Sequence, residues 1–225
     1  MSGEQFAANH FVSGTFAAYH AFLAASPEKF NSETGLGGQL FFAGRLNEAA
    51  RTQLVAANIS GAASLAVAED AESGKAALRD GVVDFLVSSL DEALRILKNE
   101  IRKKQPTSVA VSAPFDAVVA EMRERGVQPD LQNLENAGEL SEAALICVHG
   151  AAPQLARVDQ LVRELMPDAG PGMERWNRLS ARYLGRLANG MRTYGCRFEF
   201  GVPIVAGLRE RIQAEAIEAR VDLAR

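Results

Sequence analysis

The sequence predicts an α/β fold: a three-layer, Rossmann-like parallel sheet of five to six strands with helices on both faces, plus N-terminal helices. Three observations carry that prediction. Between residues 36 and 112 short apolar runs alternate with stretches of helical period, the β-α-β pattern of a parallel sheet. The runs at 62–68 and 107–112 are largely apolar on successive residues, as strands buried on both faces should be. Capping signals punctuate the alternation: Asn47 before a helix, Gly61 after it, and Ser89-Leu-Asp-Glu92 as a capping box.

Each element follows in order. Residues 4–26 are rich in alanine and bulky side chains but interrupted at Gly14-Thr15. With Thr15 as an N-cap, they read as a broken segment whose main helix runs from 15 to about 25. Residues 27–38 read as a loop. Strand one is 39–43, followed by the turn Gly44-Arg45, the cap Asn47 and a helix over 48–58. Strand two, 62–68, has Glu69 and Asp70 at its carboxyl end, before a short helix over 71–79. Strand three is 82–87. In the helix over 90–104, Leu90, Leu94, Leu97 and Ile101 make one apolar face. Strand four is 108–111 and a helix covers 114–125. Residues 127–131 read as an edge strand because Pro129 cannot donate to a ladder. Residues 132–141 read as loop, 145–148 as a fifth buried strand and 153–166 as a helix. A long helix over 173–194, a strand over 197–200 and a helix over 203–223 complete the chain. With no repeat or linker, residues 1–225 read as a single domain, with 1–35 as an N-terminal helical segment packed on it.

Composition excludes some classes. A formal net charge of -4 gives no broad electrostatic footprint for nucleic acid. Two cysteines far apart make no disulfide framework, which fits a reduced, cytoplasmic setting. The first residues lack the basic start and apolar core of a signal peptide. No apolar stretch reaches the roughly 20 residues of a membrane helix. Seven bulky side chains between Phe6 and Phe22 exceed what one amphipathic face buries, which predicts a homodimer.

Several motifs occur in a fixed order: Gly14-Thr15-Phe16, strand one ending Ala43-Gly44, Ser89-Leu-Asp-Glu-Ala-Leu94, Arg125-Gly-Val-Gln-Pro-Asp130 and Gly195-Cys-Arg-Phe-Glu-Phe-Gly201. In that order they resemble the cofactor domain of urocanase (urocanate hydratase), over roughly residues 11–210. The resemblance implies a Rossmann-like domain with a glycine-rich NAD loop after strand one. The departures are specific. That loop is here Gly44-Arg-Leu-Asn-Glu-Ala-Ala50, with Leu46 and Glu48 where the family has glycine. The acid expected late in strand two falls on Val67, and the family's Asn after strand four on Pro114. Its Gln-Thr-Ser-Ala-His run falls on residues 135–139, its late Tyr on Phe200, and its paired Asn on Val202 and Pro203. The family's catalytic regions outside this domain are not expected in so short a chain. The resemblance therefore implies the fold, and argues against urocanate hydration and against NAD held in the family's manner. No cofactor is expected.

A second resemblance, to sugar-isomerase (SIS) domains, rests on the Gly-Gly-x-Leu-x-x-x-Gly strand and on Val87-Ser88-Ser89 at the place of their phosphosugar loop. Their Ser-Gly-x-Thr is replaced by Leu90 and Asp91. Two functions follow: a small-anion-binding or non-catalytic urocanase-like protein, or a phosphosugar isomerase or sugar-phosphate binder.

The candidate ligand site is the carboxyl edge of the sheet, where open α/β sheets bind ligands. It comprises Gly44, Arg45, Asn47, Glu69, Ser88, Ser89 and Ser112, with a phosphosugar or carboxylate on Arg45 and the Ser88–Ser89 turn. Arg45 paired with Glu48, Ser89 as a simple cap, and Glu69 and Asp70 as ordinary loop acids are the plainer readings. Cys147 and His149 share a strand face and read as a thiol–imidazole pair or as structural residues. No metal site is expected. Arg175, Arg178, Arg182 and Arg186 read as a basic stripe, mainly solvated. His10 and His20 read as packing residues.

Overall fold

A computed structural model describes residues 3–132, 143–166 and 170–224. Contacts divide the chain into two compact units, residues 14–138 and residues 1–13 with 139–225.

The first unit is the predicted Rossmann-like layer structure. Its elements are the C-terminal part of α1 (Gly3–Ala25), then β1 (Leu40–Arg45), α2 (Glu48–Ser60), β2 (Ala63–Val67), α3 (Ala71–Asp80), β3 (Phe85–Val87), α4 (Leu90–Lys103), β4 (Thr107–Val111), α5 (Phe115–Glu124) and β5 (Leu131–Gln132). The strands stand in the order β3-β4-β2-β1-β5, and every pair is parallel. β5 takes the edge beside β1, where Pro129 predicts it. The chain steps one way from β1 to β2 to β3, then back through β4 to β5. Right-handed crossovers then place α2 and α3 on one face and α4 and α5 on the other. Connections leave the neighbouring strands β2 and β4 toward opposite faces, so the crevice at the carboxyl edge opens between them.

Every residue of β2 and β4 is buried. On the α4/α5 face Leu65, Val67, Val109 and Val111 pack against Leu90, Leu94, Leu97, Val118 and Met122. On the other face the Phe22 and Phe41 rings meet edge to face, 4.8 Å apart. The predicted break in the N-terminal segment is absent: α1 is continuous through Gly14 and Thr15. Gly14 is a contact residue, since a Cβ there would lie 3.4 Å from Thr52 Cγ2 on α2. Of the seven bulky residues that motivated a dimer, Phe11, Phe16, Tyr19 and Phe22 are buried, while Phe6 and His10 are exposed. His10 is therefore not a packing residue.

Strand three begins later than predicted, at Phe85: the N–H groups of Val82 and Val83 turn back to Ala77 O of α3, and Asp84 meets the neighbouring strand with its backbone N–H and its side chain. Its carboxylate accepts from Ser108 N–H at 2.8 Å and from Ser108 Oγ at 3.0 Å. Ser108, fully buried, also receives Asn58 Nδ2 from α2 at 3.1 Å.

The second unit departs from the expected single sheet. β6 (Ala143–Gly150) is the centre of a separate antiparallel sheet, order β7-β6-β8, with β7 (Arg192–Arg197) and β8 (Ala219–Ala224). The apolar run 145–148 thus builds a second sheet instead of extending the parallel one. Helices α6 (Ala152–Leu165) and α8 (Phe198–Ala214) cover it through Leu155, Leu161, Ile204 and Leu208, and α7 (Gly170–Leu184) precedes β7. Of the predicted strand at 197–200, Arg197 ends β7 and residues 198–200 start α8, and the predicted last helix stops at Ala214 and gives way to β8. There Val221 and Leu223 pair with Val148 and Ile146 of β6, and that pairing overrides the helix propensity of the alanine- and glutamate-rich segment before it. The long helix at 173–194 stops at Leu184. A 3-10 turn follows, and positive φ at Asn189 (46°) and Gly190 (76°) turns the chain into β7.

Two measurements probe this architecture. Asp84→Ala leaves the buried Ser108 N–H without its acceptor and is expected to lower unfolding stability by about 1–3 kcal/mol in urea titrations. His20 lies against the rings of Phe16 and Tyr19, and burial pushes its pKa down to about 4. The folded value lies below the unfolded one, so the unfolded state binds the extra proton and stability falls as pH drops from about 6.5 to 4. Relative to wild type, His20→Phe is expected to lack up to about 3 kcal/mol of that acid-side loss.

Candidate functional site

The site is built by three loops at the carboxyl edge of the parallel sheet. Strand β1 bulges at Ala43, its register with β2 shifting between Phe42 and Gly44, and Gly44 takes φ +75°. Few residues other than glycine adopt that conformation. The bulge turns Arg45 toward the end of β2. The loop then closes at once: Leu46 N–H donates to Val67 O at 2.8 Å, and Asn47 Oδ1 accepts from Ala50 N–H at 2.9 Å. Asn47 is thus the N-cap that its residue type predicts, and it takes the Ala50 N–H of the first turn of α2.

Glu69 and Arg45 form an ion pair. The guanidinium also lies 4.1 Å from the Phe115 ring centroid and 3.8 Å from Asp116 Oδ1. The other oxygen of Glu69 accepts the backbone N–H of Phe115 at 3.0 Å. The reason is local. Pro114 stands at the N-cap of α5 and has no side-chain acceptor. A carboxylate 46 residues earlier in the chain takes the free N–H instead, at the positive end of the helix. Glu69 therefore spans the crevice between β2 and β4 and joins the ends of β1, β2 and α5.

The remaining predicted residues are distributed along the edge. Asp70 caps α3, accepting from Ser73 N–H at 2.8 Å. Ser89 Oγ accepts from Glu92 N–H at 3.3 Å, the capping reading of that serine, while Ser88 is exposed. Ser112 N–H donates to Val87 O at 2.8 Å, beside the Ser88–Ser89 turn. Glu48 is paired with Arg51 at 3.9 Å and not with Arg45. Three strand spacings of about 4.8 Å separate β1 from β3 in this order, so Arg45 and Ser88–Ser89 are too far apart for one small ligand to take both as its anchors.

Sequence reasoning missed Phe42, Phe115 and Asp116. The Phe42 and Phe115 rings stack 6.3 Å apart. They line a cavity of about 410 Å³ under α5, with Gly44, Met122 and Val127. The one available signal was Pro114: a helix that starts without a polar side chain at its cap draws an acceptor from elsewhere.

Away from this edge, Cys147 and His149 do share a face of β6, but neither is poised for chemistry. Burial and the nearby Asp222 carboxylate push the Cys147 thiol up to about 12. His149 Nδ1 receives the Gln5 amide at 3.2 Å, and its Nε2 lies 3.6 Å from Asp222. No three His, Cys, Asp or Glu side chains come together as a metal site among the described residues. Arg175 is buried, so the arginine stripe of α7 is not wholly solvated. Residues 135–139 lie outside the described residues. No described helix is long and apolar enough to cross a membrane. Both thiols are buried, with Cys196 pushed up to about 11, so neither is expected to react with a disulfide reagent such as DTNB at pH 8 until the protein is unfolded. Prompt release of the chromophore from native protein would contradict this.

Sequence comparison identifies the parallel unit. The family model of the urocanase Rossmann-like domain matches residues 10–136, more than half of the chain.

Proposed function

The chain belongs to the urocanase Rossmann-like domain family, and we propose that it is a non-catalytic, small-anion-binding member of it. A ligand carboxylate or phosphate displaces Glu69 and takes its two partners, the Arg45 guanidinium and the Phe115 N–H. The carrying observation is the position of Glu69, which already holds an oxyanion at the mouth of the crevice. An exposed ion pair of this kind contributes only about 0–1 kcal/mol, so a ligand that also buries an apolar body can replace it. The cavity between Phe42, Phe115 and Met122 offers that apolar surface next to the cation.

NAD fits this edge poorly. A dinucleotide pyrophosphate needs close backbone approach and free N–H groups at a helix start. Here Leu46 and Glu48 occupy the loop, Asn47 takes an N–H of α2, and Asp116 adds negative charge beside Arg45. The chemistry of urocanate hydration loses support from Phe200, Val202 and Pro203 at the positions of the family's late Tyr and paired Asn. The phosphosugar-isomerase reading is weaker, because Ser89 is engaged in capping and Asp91 stands in the turn that follows. A homodimer would draw on exposed Phe6 among the N-terminal side chains.

Calorimetric titration with NAD is expected to show no one-to-one isotherm near a micromolar dissociation constant, about −8 kcal/mol. Phosphosugars and small carboxylates are then screened by thermal shift. Hits at this edge are expected to be those that disappear in Arg45→Ala and strengthen about tenfold in Glu69→Gln, which removes the competing charge. A micromolar NAD isotherm, or a screen in which no hit depends on Arg45, would overturn the reading.

A further inference from the structure

A second cavity lies in the unit formed by residues 1–13 and 139–225. It has a volume of about 640 Å³ and sits among α6, α7 and β7. That size is within the range of small-molecule sites, roughly 300–1,000 Å³. Its charges are uneven. Arg192 and Asp159 face each other at 3.7 Å, and the Tyr194 hydroxyl donates to the same carboxylate. Asp159 is thereby satisfied twice. Burial and this hydrogen bond hold the Tyr194 phenol well above its usual range, so it stays neutral. Arg163 on α6 and Arg178 on α7 line the cavity from separate helices, and among the described residues neither forms an ion pair. The remaining acid of the lining is Glu174. Three guanidiniums thus stand against two carboxylates, around an apolar surface of Val162 and Met166.

We propose that this cavity binds a small organic anion, a carboxylate or phosphate ester with an apolar body, gripped between Arg163 and Arg178. Guanidinium groups form paired, charge-assisted hydrogen bonds with planar and tetrahedral oxyanions. Two of them on different helices define a direction for the ligand: charged head toward the arginines, apolar body along Val162 and Met166. Arg192 is already engaged by Asp159, which also accepts the Tyr194 hydroxyl, so Arg163 and Arg178 are the guanidiniums left for the ligand. This site is independent of the Arg45 edge and lies in residues beyond the urocanase-family match.

Phenyl phosphate and inorganic phosphate serve as probes in calorimetric titrations of the full chain carrying Arg45→Ala, which removes the edge site proposed above. Phenyl phosphate is expected to bind about tenfold more tightly than inorganic phosphate, because only it buries a ring. In that background, where the edge site is silent, Arg163→Ala and Arg178→Ala should each weaken its binding about tenfold and together abolish it. Both arginines are exposed, so the variants should keep the wild-type Tm, which is measured alongside. No phenyl phosphate isotherm up to about 10 mM in the Arg45→Ala chain, or an affinity there unchanged by the double Arg163→Ala, Arg178→Ala substitution, would each overturn the proposal.

Discussion

The carboxylate of Glu69 is the interaction on which the functional edge depends. One oxygen holds the guanidinium at the end of β1 and the other holds the first N–H of α5. The arrangement follows from two residues far apart in the chain. Pro114 leaves α5 without a cap, and the bulge at Ala43 aims Arg45 across β2. The helix start and the arginine together make a positive concavity, and a single acid fills it. A domain of the same topology with a polar cap on α5 and glycines after β1 would leave both open. The difference between a cofactor cradle and a closed edge is therefore a matter of a few side chains on an unaltered sheet.

Beneath that edge the sheet is tied together by buried polar groups as well as by hydrocarbon. Ser108 stands in the middle of β4 and is fully buried. Asp84 and Asn58 satisfy it from the neighbouring strand and from α2. An unpaired hydroxyl or N–H there would destabilise by about 1–3 kcal/mol, whereas the paired set fixes how α2 and β3 sit on β4. The second unit uses a comparable device at its edge. The Asn177 amide on α7 accepts from Gly195 N–H at 2.7 Å and donates to Gly195 O at 3.1 Å, so a side chain stands where another strand could pair.

The sequence by itself determined the parallel unit. Its central strands β2 and β4 are buried on both faces, so they read as apolar runs, and its helices carry local caps at Asn47 and Ser89 that act within one turn. Those signals are short-range, and so they survive in a linear text. Pro129 marked the edge strand for the same reason. Arg45 and Glu69 were legible as candidates because strand ends in such a sheet face a crevice. Their pairing with each other and with Phe115 was not, since it depends on which strands are neighbours. The order β3-β4-β2-β1-β5 sets Arg45 beside Glu69 and away from Ser88. Only the tertiary structure decided that 145–148 starts an antiparallel sheet and that 219–224 is a strand. An apolar run looks alike in either sheet, and the helix-forming residues before Val221 gave way to pairing with a strand some seventy residues earlier. Local propensity names elements; long-range pairing chooses their partners, and the site is made of partners.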